Sequence, residues 1–146
     1  MNKKSCDNIG KYISQLYRRG GIFVTKEMEK YNIGQGQFMF LLELYIEDGR
    51  NQEELSKALK IDKGTTARAI KKLEKERYLI RYKDENDKRS NKIYLTQKGR
   101  DVKENIFSVL GEWERKISEH LDESEKELMI KLLKKVCLNI DKQEEN

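Results

Sequence analysis

The hydrophobic period of this chain changes twice, and that change restricts the fold more than any other feature. Up to Leu73 the apolar residues recur at helical spacing. Two short β-branched and aromatic runs follow, Tyr78-Leu79-Ile80-Arg81-Tyr82 and Lys92-Ile93-Tyr94-Leu95, with the wholly polar residues 83–91 between them. Beyond Leu95 the helical spacing returns. Runs of this kind bounded by turn-forming residues read as strands, so the sequence predicts a mainly α fold carrying a small two- or three-stranded β wing. Proline is absent from all 146 residues, which removes the strongest helix breaker. Charged residues (39%) outnumber hydrophobic ones (36%), which calls for a small core and long solvated helical faces.

The helices can be placed from their patterns. Ile9, Tyr12, Ile13, Leu16 and Tyr17 predict a helix from about residue 7, with a kink or weak point at Gly20-Gly21, where each glycine costs about 1 kcal/mol relative to alanine. From Gln35 to about Glu47 the sequence is apolar nearly all round, with Phe38, Leu41, Leu42 and Tyr45 on one side and Phe40 and Leu44 on the other. This predicts the buried central helix. Gly49 is in the usual stop position. Asn51 and Glu54 form a capping box for a short helix with Leu55, Ala58 and Leu59 facing inward. After a buried Ile61, Asp62 caps the next helix, from Lys63 to about Arg77. Thr66, Ala69, Ile70 and Leu73 face in, and Lys63, Thr65, Arg68, Lys71, Lys72 and Lys75 lie on its other faces. Towards the C-terminus, Ile106, Leu110, Trp113, Ile117 and Leu121 form one stripe. A final helix, capped by Asp122 with Glu125 or by Ser124 with Glu127, carries Leu128, Leu132, Leu133, Val136, Cys137 and Ile140. Two such faces have few partners inside so short a chain. Either a second copy covers them or they pair internally against the first helix.

Two short helices joined by a tight turn, the second basic on its outward side, make a helix-turn-helix; the hairpin makes it a winged one. The charge agrees with that reading. The net charge is +5, and residues 51–96 hold thirteen Lys and Arg against eight Asp and Glu, while the C-terminal third is acidic. A localised basic excess is the footprint of a polyanionic partner. A helix of this kind fits the major groove of DNA, and a hairpin tip can carry an arginine into the minor groove.

At Asp87-Lys88-Arg89, followed after five residues by Leu95-Thr96 and then Gly99, the chain resembles the MarR (multiple antibiotic resistance regulator) family, matching its D-x-R-x5-L-T-x-x-G wing signature. Glu54-Leu55, Ala58, Ile61, Arg68, Leu73-Glu74 and Arg81 fit the same family's recognition region. The resemblance implies a winged helix-turn-helix over residues 35–99, flanked by helices in 1–34 and 100–146 that form a dimerisation region. It implies a homodimer on a pseudo-palindromic double-stranded DNA operator, acting as a regulator, and a repressor released by a small aromatic or acidic effector. On that mapping Lys63, Gly64, Thr65, Thr66 and Arg68 contact bases and phosphates, Lys71 and Lys72 contact phosphates, and Asp87 orients Arg89 into the minor groove through an ion pair, with Lys88 beside it. Two departures stand out: Gly64 lies where a small hydroxyl residue or alanine is usual, and Arg77-Tyr78 replaces a glycine-led exit from the recognition helix. A winged-helix protein–protein adaptor is the alternative from another class; it has no need of so many lysines and arginines on one helix.

The remaining chemistry-bearing residues suggest little more. Cys6 is an oxidant-sensing thiol or an inert terminal one, and Cys137 reads as a small core residue. A lone histidine, His120, cannot supply a metal site, and no cofactor is expected. Tyr12, Tyr17, Tyr45 and Trp113 are core residues or the lining of a ligand crevice. There is no G-x-S-x-G, phosphate-cradling loop or other catalytic constellation, so an enzyme is not expected. The longest apolar run, Phe38-Met39-Phe40-Leu41-Leu42, falls far short of the roughly twenty residues of a membrane span. With no apolar leader behind the basic N-terminus and no disulfide framework, a cytoplasmic protein is expected.

Overall fold

The computed structural model describes residues 6–87 and 89–146. Eleven segments follow in order: α1 (Ile9–Met28), a 3-10 turn (Glu29–Tyr31), α2 (Gln35–Ile46), β1 (Arg50–Asn51), α3 (Gln52–Leu59), α4 (Lys63–Lys75), β2 (Leu79–Lys83), β3 (Asn91–Leu95), α5 (Gln97–Asp101), α6 (Lys103–Ser118) and α7 (Glu123–Glu144). This is the mainly helical, winged architecture that the change of period predicts. The sheet has three strands in the order β1-β3-β2, all antiparallel. The chain forms two compact units, Met1–Leu110 and Gly111–Asn146.

The first unit holds the core. α2 runs through its middle, with Phe40, Leu41 and Leu44 inaccessible and Phe38, Leu42 and Tyr45 packed around them. Val24 and Met28 of α1, Leu55 of α3, Ile70 and Leu73 of α4, Ile93 and Leu95 of β3 and Ile106 of α6 complete it. Burying one such aliphatic side chain stabilises the fold by about 1.5–3 kcal/mol, so losing α2 would dismantle the unit.

Four details depart from expectation. α1 continues through Gly20-Gly21 without a break; both glycines are buried, and packing offsets their weak helix propensity. Gly21 lies so close to the Gln35 side chain that an added Cβ would fall 2.3 Å from its Nε2. In α3 it is Ser56, not Ala58, that turns inward: Ala58 is exposed, and the Ser56 hydroxyl donates to the Ile61 carbonyl. α4 ends at Lys75 rather than Arg77, and α5 is an added short helix capped by Thr96.

The second unit contains the end of α6 and all of α7. Asp122 caps α7 in a reciprocal box with Glu125, which resolves the choice left open by the sequence. None of the 22 residues of α7 is buried. Its stripe of Leu128, Leu132, Leu133, Val136 and Ile140 is exposed, and so is Cys137, which is not a core residue in this chain.

Candidate nucleic-acid interface

The helix-turn-helix is assembled by its caps. Asn51 Oδ1 accepts from the Glu54 amide at 2.8 Å, and Glu54 Oε2 accepts from the Asn51 amide at 3.2 Å, so two orphan donors at the start of α3 are satisfied reciprocally. α3 ends at Lys60, held in the left-handed region at φ 54°. Two residues on, Asp62 receives the Thr65 amide at 2.8 Å and the Thr65 hydroxyl at 2.7 Å. These bonds, the amide first, hold the Asp62 carboxyl below its ordinary value, and the nearby Arg68 charge adds to the effect. The Thr66 hydroxyl donates to the Asp62 carbonyl at 2.8 Å.

Those bonds divide the expected contact residues. Lys63, Gly64, Arg68, Lys71 and Lys72 lie on the exposed side of α4. Thr65 is half-buried and committed to the cap, and its hydroxyl also accepts from Arg68 Nη2 at 3.0 Å, which steadies that guanidinium over the first turn. Thr66 is fully buried, with its hydroxyl engaged inside the helix, so it presents nothing to a partner. Gly64 leaves a tight space: an added Cβ would stand 3.3 Å from Asp62 Oδ1 and 3.4 Å from Arg68 Nη1.

The wing is clamped at its base. β2 and β3 pair from Leu79↔Leu95 to Lys83↔Asn91, and β1 adds Arg50↔Ile93 and Asn51↔Lys92. Asn51 therefore belongs to the sheet and caps α3. Asp48 Oδ1 accepts from the Leu95 amide at 2.9 Å, in place of a strand partner. Gly49, at φ 77°, turns the chain from α2 into β1 beneath the Tyr94 ring. On the other side Arg81 Nε donates to both carboxylate oxygens of Glu74, at 2.9 and 2.8 Å, which ties β2 to α4.

The signature residues after the hairpin have a packing reason. The Thr96 hydroxyl donates to the carbonyls of Arg77 (2.6 Å) and Tyr78 (3.1 Å), and Thr96 Oγ1 accepts the Gly99 amide at 3.1 Å. A Cβ on Gly99 would fall 2.3 Å from the Tyr78 carbonyl oxygen, so only glycine fits there. Tyr78 is buried, and its hydroxyl donates to the Tyr31 carbonyl; burial, with the charge of Glu76, raises its pKa. Burial likewise raises that of Tyr45, which donates to the Gly99 carbonyl.

At the tip, the Asp84 amide donates to the Ser90 carbonyl and the Ser90 amide to the Asp87 carbonyl, both at 3.0 Å. Asp87 and Arg89 are exposed. The bond between them runs from the Arg89 backbone amide to Asp87 Oδ1 at 3.0 Å. The expected side-chain ion pair is not among those made by the described residues, because a two-residue spacing in a turn brings the amide to the carboxylate first. Lys88 lies outside the described residues. Between α4 and the wing is a polar cleft of about 410 Å³ that includes Lys63, Arg81, Asp87 and Arg89. Sequence reasoning did not single out Arg81 as a lining residue; strand alternation, which sets it opposite Ile93, was the available signal.

The remaining candidates belong to other segments of the chain. Cys6 precedes α1 and is exposed, and His120 is exposed between α6 and α7. Among the described residues no group of three or more His, Cys, Asp or Glu is placed to hold a metal ion, and no helix is long and apolar enough to cross a membrane.

Comparison with known proteins agrees with this geometry. The MarR family model matches residues 33–90. The HTH-type transcriptional regulator BilQ of Clostridium symbiosum is 32% identical over 86% of this chain and 88% of its own length. A MarR transcriptional regulator from Methanosarcina mazei is 46% identical, with a TM-score of 0.84 over 90% of this chain and 97% of that one. A MarR family regulator from Listeria monocytogenes complexed with 26mer DNA is 29% identical, with a TM-score of 0.87 over 94% and 91% of the two chains. With fold, wing signature and relatives in agreement, the chain belongs to the MarR family, whose members among these relatives are HTH-type transcriptional regulators.

Proposed function

We propose that this chain is a sequence-specific double-stranded DNA-binding regulator that acts as a homodimer, and a repressor released by a small effector. One observation carries the reading: Lys63, Arg68, Lys71 and Lys72 stand on the exposed side of a helix whose cap and wing are fixed to the same unit. A cationic face on a backbone fixed in this way loses little backbone freedom on meeting a polyanion. A relative of the same fold is complexed with DNA.

Apolar surface supports the dimer. α7 has no buried residue, and on α1 Ile9, Tyr12 and Ile13 are exposed. Apolar stripes on long helices are stable when a second copy covers them. Two recognition helices about 34–36 Å apart then meet successive major grooves. An effector that favours another spacing depopulates the DNA-binding state. A groove of about 710 Å³ along α1, with Tyr17, Ile22 and Ile33 beside Arg18 and Lys26, suits a small aromatic acid.

The test is fluorescence anisotropy on duplex DNA from upstream of the protein's own gene, at several salt concentrations, with and without benzoate. The expected result is binding that beats scrambled DNA, falls steeply with salt, and weakens with the acid. Binding that does not respond to benzoate would remove the aromatic acid from the reading. No binding to any duplex at low salt would replace DNA with a protein partner.

A further inference from the structure

The cleft between α4 and the wing holds a cation that belongs to neither the basic helix face nor the wing tip. With α4 in a major groove and the wing in the neighbouring minor groove, one sugar-phosphate strand separates the two. That strand must pass between the start of α4 and the hairpin, which is where the cleft lies. Its lining includes Asn51, Gln52, Lys63, Arg81 and Arg89.

Among these donors Arg81 has a distinct geometry. Both of its bonds to Glu74 leave from Nε, and this fixes the plane of the guanidinium. The hydrogens on Nη1 and Nη2 have no hydrogen bond to the described residues. A guanidinium held along one edge and open along the others presents paired donors to a phosphate, with little left to immobilise. Lys63 and Arg89 are exposed cations without such an anchor. Glu53 and Asp87 line the same cleft. Their charge discourages a free anion, so a phosphate settles there as part of a duplex already held by α4 and the wing.

We propose that this cleft is a seat for one backbone phosphate per protomer, and that Arg81, anchored by Glu74, grips it. The proposal rests on the DNA-binding reading above and adds to it a contact residue and its point of contact.

The experiment uses the full chain and the same upstream duplex, unmodified or carrying one neutral methylphosphonate at each backbone position in turn. Anisotropy over a salt series compares wild type with Arg81→Gln and Arg81→Lys. Arg81→Gln is expected to lower the slope of log affinity against log salt by about 0.9 per protomer. One methylphosphonate position in each half-site should weaken wild type and leave Arg81→Gln unaffected. Arg81→Lys, which keeps the charge but loses the planar fork, should hold the slope while losing affinity. If Arg81→Gln fails to fold, Arg81→Lys against the same methylphosphonate series gives the decision. An unchanged slope, with every methylphosphonate weakening wild type and variants alike, would overturn the seat while leaving DNA binding intact. A wild-type chain that binds no duplex removes the DNA reading and the seat together.

Discussion

Arg77 turns the chain from α4 into the wing from the left-handed region, at φ 63°. A side chain there costs about 1 kcal/mol more than glycine, because its Cβ crowds the following carbonyl. Arg77→Gly should therefore raise the thermal midpoint by about 2–4 °C, measured by circular dichroism; an unchanged or lower midpoint would mean the guanidinium makes up the difference. Gly99 presents the opposite case. Gly99→Ala drives a methyl group into the Tyr78 carbonyl and should cost about 1–3 kcal/mol, seen as a lower urea midpoint. The two positions show why the wing signature reads as it does. Thr96 and Gly99 are required by a close approach of two backbones at the foot of the hairpin, whereas Arg77 is tolerated at a position suited to glycine.

At the scale of elements, α4 depends on its first turn. Asp62 titrates below its ordinary value because its charged form receives the Thr65 amide and hydroxyl. A depressed carboxyl stabilises the folded state above its unfolded value and loses that contribution as the pH falls through the folded one. Thermal midpoints should accordingly fall below about pH 4, and Asp62→Asn, which still caps but does not titrate there, should flatten that part of the profile. An identical acid slope in the variant would place the cause elsewhere. The capped helices were legible beforehand because caps and apolar spacing are local: Asn51, Asp62 and the inward face Thr66, Ala69, Ile70 and Leu73 of α4 all stand where the sequence puts them. The exposed cations of α4 were legible as the complement of that face. β1, two residues long, is defined by its partner in β3 and has no period of its own. Ala58 and Ser56 could not be ranked, since both are small and the buried one is chosen by the Ile61 carbonyl. The guanidinium of Arg81 is held by Glu74, seven residues away on another element, a pairing that no local pattern announces.

For the molecule as a whole, the test is association. Leu132 and Val136 lie one helical turn apart on the exposed stripe of α7. Replacing both with glutamate should yield a monomer by sedimentation velocity, with DNA affinity falling by orders of magnitude as the second half-site is lost. A double variant that remains dimeric would move the interface off α7. Asn51 has a consequence at this scale as well. Because this residue closes the sheet against Lys92 and starts α3, the interval between that helix and the hairpin is not an independent variable, and Arg81 on Glu74 sets α4 to the same hairpin. On the DNA-binding function proposed above, descendants of this chain can exchange Lys63, Arg68 or Arg89 and so acquire a new vocabulary of bases. They inherit the ruler within each protomer unchanged, and each half of a new target must share the length of the old one even where it shares none of its letters.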